Sequence, residues 1–172
     1  MVSMKVVGID PGTKALGWAI FRNEKLSECG LIRSASLHCM SEQLVKKFAG
    51  TSGDLAVIEV PQVYRHSPGD PNDLINVSVI SGAALAACAG FDTVELPRPK
   101  RWKGSVPKDV HNRRVLAKLS NRERCVLQEC GVPKYLLHNV IDAIGLGMWG
   151  VDAYRRRAAG NAIEGLSEAS NA

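Results

Sequence analysis

The order in which strand-like and helix-like segments follow one another most constrains the fold of this chain. Three segments rich in apolar and β-branched residues come first, at 5–9, 16–21 and 26–33, and short polar links join them. Short links are typical of antiparallel neighbours. After a short helix predicted at 41–49, a nearly continuous apolar run at 55–60 indicates a strand covered on both faces, as parallel strands between helices are. The sequence therefore predicts a mixed sheet that begins as an antiparallel meander.

The rest of the chain adds one strand and several helices. We predict a strand at 93–96, an irregular basic stretch at 97–107, and helices at 73–89, 108–119, 121–130 and 135–157. A mixed five-stranded sheet with helices on both faces is the pattern of a ribonuclease-H-like α/β fold. With 172 residues and no domain-scale linker, we expect a single domain over residues 1–157. The small and polar residues 158–172 are predicted to be a disordered tail.

Positive charge is concentrated in one segment. The whole chain has a net charge of +5, whereas residues 98–124 contain ten basic and two acidic residues, a net charge of +8. A basic segment on a mildly acidic body is typical of a nucleic-acid-binding surface, and a solvated helix face is the alternative. Trp102 and Gly104 interrupt the charges, which favours nucleic acid.

Composition and motifs argue against disulfide-rich secreted proteins, membrane proteins and nucleotide-binding proteins. The five cysteines are an odd number without a C-x-x-C spacing, so we expect reduced thiols and a cytoplasmic protein rather than a disulfide framework. Residues 1–5 show no charged region followed by an apolar run, so we expect no secretory signal. The most apolar stretch, 75–91, contains Asn76, Ser78 and Ser81, so a buried helix is expected and no membrane association. A G-x-G-x-x-G match at 145–150 lies inside a predicted helix, so no nucleotide cofactor is expected.

Three carboxylates stand where apolar surroundings make a charge costly. Asp10 ends the first predicted strand, Glu59 lies one residue before the end of the fourth, and Asp142 lies in the apolar helical run 140–144. If the two strands are parallel neighbours, their carboxylates meet at the carboxyl edge of the sheet. Each has an ordinary explanation as a turn, ion-pair or capping residue. Together they repel one another and predict a shared site for a divalent cation.

The ligand type indicates the metal and the chemistry. All-oxygen ligands favour Mg²⁺ or Mn²⁺ over zinc. Two such cations suit phosphodiester hydrolysis, in which one activates water and the other stabilises the leaving oxygen. His138 and Asn139 precede Asp142 by about one turn and share its helix face.

Four motifs, in order, resemble those of the RuvC-type Holliday-junction resolvases, particularly the phage-like members. They are residues 8–19, Val57-Ile58-Glu59, residues 101–104 followed by Lys108, and residues 138–143. The matches run from residue 5 to about residue 149. The resemblance implies a ribonuclease-H-like fold, a homodimer, Mg²⁺ with Mn²⁺ able to substitute, two ions per active site, and paired nicks in four-way DNA junctions. It also implies the bacterial cytoplasm or a phage-infected host cell.

The resemblance also assigns the metal ligands. It implies that Asp10, Glu59 and Asp142 hold the metal and are catalytic. Family members usually carry Asp, or sometimes His, three residues before the last Asp, whereas this chain has Asn139. From the resemblance we therefore expect the fourth ligand to be Asn139 or His138.

The basic segment is expected to contact DNA. Lys103 and Lys108 are predicted to be catalytic and to stabilise the charge that builds at the scissile phosphate. The other predicted DNA contacts are Tyr64, Arg65, Arg98, Lys100, Arg101, Trp102, Arg113 and Arg114. Tyr64 lies somewhat further from the second acid than the family's aromatic residue does.

Two other functions stay open at this stage. One is a different ribonuclease-H-fold nuclease, acting on RNA–DNA hybrids or similar to the YqgF-like resolvases. The other is a junction-binding module with impaired catalysis, which Asn139 permits.

The predicted helix at 73–89 is apolar on every side and needs cover on both faces. We expect the sheet on one face and a second subunit on the other, the alternative being the chain's own C-terminal helix.

Overall fold

One mixed sheet organises the chain. The computed structural model describes residues 4–63 and 70–169, with side chains as far as residue 160. The sheet has the strand order β3-β2-β1-β4-β5, in which β1 pairs antiparallel with β2 and parallel with β4. This order confirms the predicted mixed five-stranded sheet. The strands are β1 (Lys5–Asp10), β2 (Ala15–Arg22), β3 (Lys25–Arg33), β4 (Gly53–Ile58) and β5 (Phe91–Glu95).

Helices cover both faces of the sheet, as expected. The structure has α1 (Leu37–Phe48), α2 (Pro71–Ala87), α3 (Pro99–Trp102), α4 (Lys108–Lys118), α5 (Asn121–Glu129) and α6 (Leu137–Ala169), with a 3₁₀ turn at Lys134–Leu136. Among the helices in the described part of the chain, none combines the length and hydrophobicity needed to cross a bilayer.

The alternation of side chains along β1 divides the core into two layers. Val6 packs in the layer that contains α4, α5 and α6. Val7 and Ile9, which point to the opposite face, pack in the layer that contains α1 and α2. The two layers contain separate helices, so α6 does not cover the outer face of α2. The alternative of cover by the chain's own C-terminal helix is therefore wrong.

Glycines allow α6 to lie unusually close to the centre of the sheet. A Cβ at Gly8 in β1 would collide with the backbone carbonyl of Ala143, and a Cβ at Gly17 in β2 with that of Asn139. These two strand residues bring the first turns of α6 against the ends of β1 and β2. The close approach brings Asp142 towards the edge of the sheet where β1 ends.

The basic helices are fixed to the sheet by a buried carboxylate. Glu123 in α5 accepts hydrogen bonds from the backbone N–H of Leu26 at 2.9 Å and from the backbone N–H of Ser120 at 2.9 Å. Ser120 caps α5, and together with Glu123 it forms a capping box. Although burial opposes the shift, the hydrogen bonds from Ser120 and Leu26 lower the pKa of Glu123. The segment that contains most of the positive charge is thus anchored to β3.

Several predicted boundaries were wrong for local reasons. α1 begins at Leu37 rather than residue 41, because Ser36 caps it by accepting a hydrogen bond from the backbone N–H of Cys39. A short helix, α3, lies within the stretch predicted to be irregular.

The ends of β4 and α6 also differ from the prediction. β4 ends at Ile58, so Glu59 follows the strand instead of lying within it. α6 begins at Leu137 and continues to Ala169 beyond the predicted end at residue 157, since no proline interrupts residues 158–169. The predicted disorder of the tail and the single-domain division stay predictions.

Candidate active site

Two of the predicted carboxylates meet where β1 and β4 end side by side. Ile9 pairs with Ile58 in the parallel ladder, and the backbone N–H of Glu59 donates to the carbonyl oxygen of Ile9 at 3.0 Å. Asp10 is the last residue of β1, and Glu59 is the first residue after β4. The two carboxylates therefore lie on adjacent strand ends at the carboxyl edge of the sheet.

The third carboxylate comes from α6. Asp142 is only 4% exposed, and its Oδ1 atom is buried without a hydrogen-bond partner. A buried carboxylate oxygen without a hydrogen-bond partner lowers the stability of the fold, so this oxygen is a candidate site for binding a positive charge.

Electrostatic effects on Asp10 indicate that the three carboxylates form one cluster. Burial raises the pKa of Asp10 well above its usual range, and the negative charges of Glu59 and Asp142 raise it further. The positive charges of Lys103 and Lys108 oppose this rise. Burial also raises the pKa of Glu59. The structure thus brings all five predicted catalytic residues together.

The two lysines lie against different carboxylates. Lys103 Nζ is 3.5 Å from Glu59 Oε2, and the Trp102 indole N–H donates to the same oxygen at 2.6 Å. Lys108 Nζ is 4.0 Å from Asp142 Oδ2, and its side chain is largely exposed. Positive charge therefore flanks the carboxylates from α4 and from the residue after α3.

The donor set fits a hard divalent cation, although the carboxylates are not closed around one point. Within residues 4–63 and 70–160, no three His, Cys, Asp or Glu side chains converge as a preformed metal site requires. Like-charged carboxylates repel one another, and here two of them pair with lysines. The unpartnered Asp142 Oδ1 and the raised pKa of Asp10 are both features that a cation would relieve.

The structure adds a residue that sequence reasoning missed. His111 in α4 is 9% exposed, and its Nε2 atom lies 3.7 Å from Asp142 Oδ1. Its ring meets Trp102 edge-on, with centroids 4.9 Å apart. The sequence contained one signal for this contact, because His111 follows Lys108 by three residues and lies on the same face of α4.

The candidate fourth ligands and the predicted DNA contacts are distributed more widely. Asn139 and His138 are half-buried, and Asn139 Nδ2 donates to the carbonyl oxygen of Leu136 at 3.2 Å. Trp102 is half-buried against Glu59 rather than fully exposed. Tyr64 and Arg65 lie outside the described residues.

The remaining predicted contacts are arginines and a lysine on the surface. Arg98, Lys100, Arg101, Arg113 and Arg114 are all exposed. Two of them have acidic partners, since Arg101 pairs with Glu95 at 3.3 Å and Arg113 with Asp109 at 3.3 Å. Arg114 lines a cavity of about 480 Å³ beside the carboxylates, together with Trp102, Lys103, His111, Lys118 and Trp149.

We expect Asp10→Asn to raise the stability of the chain in the absence of divalent cations. Because the pKa of Asp10 is raised by folding, its ionisation destabilises the folded state above the unfolded pKa, and this effect is absent at lower pH. The asparagine variant should therefore melt at a higher temperature at neutral pH, by about 2–4 °C for each kcal/mol recovered. The difference should disappear as the pH falls below the unfolded pKa.

Thermal melts of both proteins in chelator, across pH, would measure this effect. The matched control is Asp92→Asn, which neutralises an exposed carboxylate in β5. An Asp10→Asn variant that is no more stable than the wild type at neutral pH would contradict the raised pKa of Asp10, which burial causes first and the charges of Glu59 and Asp142 second.

Comparisons with known proteins agree with this architecture. The structure of Thermus thermophilus RuvC in complex with Holliday junction substrate matches with a TM-score of 0.66 and 19% identity, covering 89% of this chain and 96% of that one. A further Thermus thermophilus RuvC structure matches with a TM-score of 0.63 and 17% identity, over 89% and 96% of the two chains. The yeast mitochondrial Holliday junction resolvase gives 0.50 and 12%, over 93% and 86%.

No protein-family model and no curated protein sequence matches the chain. The two RuvC structures nevertheless cover 89% of this chain, whose described residues form a mixed five-stranded sheet with helices on both faces. The chain therefore has the ribonuclease-H-like fold in the form seen in Thermus thermophilus RuvC.

Proposed function

We propose that this protein is a metal-dependent, structure-selective DNA endonuclease that resolves four-way junctions by paired phosphodiester hydrolysis. The observation that carries the proposal is the cluster of Asp10, Glu59 and Asp142 at one edge of the sheet, flanked by Lys103 and Lys108. The likeness of the fold to RuvC in complex with Holliday junction substrate supports junction DNA as the substrate.

The carboxylates are the groups that would bind and orient the metal. Their oxygens suit Mg²⁺, with Mn²⁺ as a substitute and two ions per site as the proposed number. When bound, these ions supply Lewis-acid stabilisation and an activated water for hydrolysis. Asp10 and Glu59 must be ionised to act as ligands, and the raised pKa of each means that acid opposes this state.

The lysines supply charge where the phosphate would lie. Lys108 is largely exposed and extends from the start of α4 towards Asp142, so its ammonium group is accessible to a DNA phosphate. Lys103 is more enclosed and lies at Glu59. Preorganised positive charge near a reacting phosphate stabilises the charge that develops during cleavage.

The exposed cations around the cluster would position the DNA. Arg98, Lys100, Arg113 and Arg114 are exposed on α3, α4 and the segment before them. Phosphate contacts of this kind fix the position of the duplex and contribute most of the salt dependence of binding. Separate groups therefore serve DNA binding and catalysis in this proposal.

Neutralising any of the three carboxylates should abolish cleavage and leave DNA binding intact. We expect Asp10→Asn, Glu59→Gln and Asp142→Asn each to lower the cleavage rate more than about 100-fold. Substituting even a residue that only supports a metal ligand costs about 10–100-fold in metal affinity or activity. Affinity for a synthetic four-way junction should stay unchanged or rise, because negative charge is removed near the phosphates. Cleavage with Mg²⁺ or Mn²⁺ and binding without metal would be measured separately.

The substrate panel distinguishes the competing functions. Four-way junction, three-way junction, duplex DNA and RNA–DNA hybrid should be compared, with Asp92→Asn as the matched control. Preferential cleavage of the hybrid would favour a different ribonuclease-H-fold nuclease. Tight junction binding by the wild type without any cleavage would favour a junction-binding module. Normal cleavage by Asp10→Asn would exclude the proposed metal site.

Lysine and arginine substitutions should affect different steps. We expect Lys108→Ala and Lys103→Ala to lower the cleavage rate at saturating junction by about 10²–10³-fold, because they act on developing charge. Arg113→Ala and Arg114→Ala should mainly raise Kd and reduce the salt dependence of binding by about one counterion. Single-turnover rates and binding titrations at several salt concentrations separate the two effects. Equal effects from all four variants would indicate simple phosphate binding.

We propose further that the protein is a homodimer built on α2. Ile75, Val79 and Leu85 are 61%, 50% and 40% exposed, and α6 lies in the opposite core layer. These residues leave an apolar surface on α2 that a second subunit would cover. Two matched nicks in a two-fold junction also require two matched sites, which a C₂ dimer supplies.

Sedimentation of the native protein at tens of micromolar tests the dimer. We expect a dimer for the wild type and a monomer for Val79→Glu, which places a charge on an already exposed position and so should not unfold the subunit. Tyr135→Glu, at an exposed residue of the 3₁₀ turn, is the matched control and should stay dimeric. A wild-type monomer, with or without junction DNA, would contradict the dimer and the paired-nick mechanism.

A further inference from the structure

We propose that His111 is a direct nitrogen ligand of the divalent cation and binds it together with Asp142. This inference rests on the proposed function for the existence of the cation site. It identifies the fourth ligand as a residue of α4, whereas the sequence pattern places that ligand on α6 at residue 138 or 139. The active site would then hold a mixed nitrogen and oxygen ligand set.

The geometry of two unpartnered atoms is the first support. His111 Nε2 and Asp142 Oδ1 are both buried, and neither has a hydrogen-bond partner. They face each other at 3.7 Å, which exceeds the usual length of a direct hydrogen bond. Two ligand atoms that each lie about 2.1 Å from one ion are separated by roughly 3.0 Å at a right angle and 4.2 Å in a line. The observed separation falls inside this range.

The surroundings hold the imidazole in this orientation. Its ring packs edge-on against Trp102. Gly145, one turn after Asp142 in α6, leaves room for it, because a Cβ there would lie 3.0 Å from His111 Nε2 and 2.9 Å from the Trp102 ring. The ring nitrogen thus points at the turn of α6 that carries Asp142. A purely structural histidine would pair with this carboxylate through a direct hydrogen bond, whereas the 3.7 Å separation leaves both atoms without one.

The alternative ligands on α6 have less support. The Asn139 side chain already donates a hydrogen bond to the carbonyl oxygen of Leu136, the last residue of the 3₁₀ turn before α6. This bond uses Nδ2 and leaves Oδ1 free, and a neutral amide oxygen and a neutral imidazole nitrogen add equally little charge. The 3.7 Å approach of His111 Nε2 to Asp142 Oδ1 is therefore what favours α4. His138 is half-buried and is the remaining alternative. Separate substitutions of His138 and His111 distinguish the two.

A nitrogen ligand would change the choice of metal. Carboxylate oxygens alone suit Mg²⁺ and Mn²⁺, whereas imidazole favours transition metals. We therefore expect the wild type to bind Mn²⁺ more tightly than Mg²⁺. His111→Gln should weaken Mn²⁺ binding at least about tenfold and Mg²⁺ binding much less. Titration of the DNA-free protein with each metal alone measures these affinities without any assay of cleavage.

The decisive experiment is pulsed electron paramagnetic resonance of Mn²⁺ added to the full chain. A directly bound imidazole gives a nitrogen modulation that changes when the protein is labelled with ¹⁵N-histidine. We expect this signal in the wild type, its loss in His111→Gln, and its retention in His138→Gln. His38→Gln, at an exposed residue of α1 that pairs with Glu42, is the matched control. The labelled wild type tests for a histidine ligand even if a variant folds poorly.

Each outcome separates this inference from the proposed function. Mn²⁺ bound without a histidine nitrogen signal would overturn the inference and leave the nuclease proposal standing. Loss of the signal in His138→Gln with retention in His111→Gln would assign the ligand to α6 and would also overturn it. Absence of both Mn²⁺ binding and cleavage in the wild type would overturn the metal-dependent nuclease itself.

Discussion

The close packing of α6 against the middle of the sheet is the constraint on which the candidate site depends. β1 and β4 alone bring only Asp10 and Glu59 together. The third carboxylate belongs to a helix, and an ordinary helix-to-sheet separation would leave it away from the strand ends. Gly8 and Gly17 remove the side chains that would impose that separation. Sheet residues without any chemistry of their own thus determine whether the carboxylates form one cluster.

The cluster of three carboxylates lowers the stability of the fold for the sake of the candidate site. Three carboxylates in partly buried surroundings repel one another, and the raised pKa of Asp10 reflects both its burial and its neighbours. The fold partly compensates with Lys103 and Lys108, each of which lies at one carboxylate. The compensation is incomplete, since Asp142 Oδ1 accepts no hydrogen bond and His111 Nε2 lies 3.7 Å away. Such an imbalance is typical of sites arranged for a cation or a reaction rather than for the stability of the fold.

The sequence predicted those features that depend on neighbours along the chain. Apolar runs and short links predicted a mixed sheet that begins as an antiparallel meander. The strand ends placed Asp10 and Glu59 at one edge on the condition that the first and fourth strands are parallel neighbours, which the structure shows them to be. Prediction was weaker where two nearby residues could both cap a helix, or where a side chain's partner lies far away in the sequence. Ser36 caps α1, whereas the prediction chose Ser41. The sequence did not distinguish the two because serine is a good capping residue at either position. Trp102 stays a predicted DNA contact, but the sequence did not predict that its indole donates to Glu59, which lies 43 residues earlier.

His111 shows most clearly what a single sequence leaves out. A lone histidine in a basic helix has no partner that sequence spacing can identify, because Asp142 lies on another helix. The contact depends on the placement of α4, which in turn depends on α5 being anchored to β3 through Glu123 and Leu26. Val115 of α4 packs in the same core layer as Val140 and Ile144 of α6. The basic segment is therefore held in place by packing beside the candidate site, and the lysines and His111 have defined positions relative to the carboxylates.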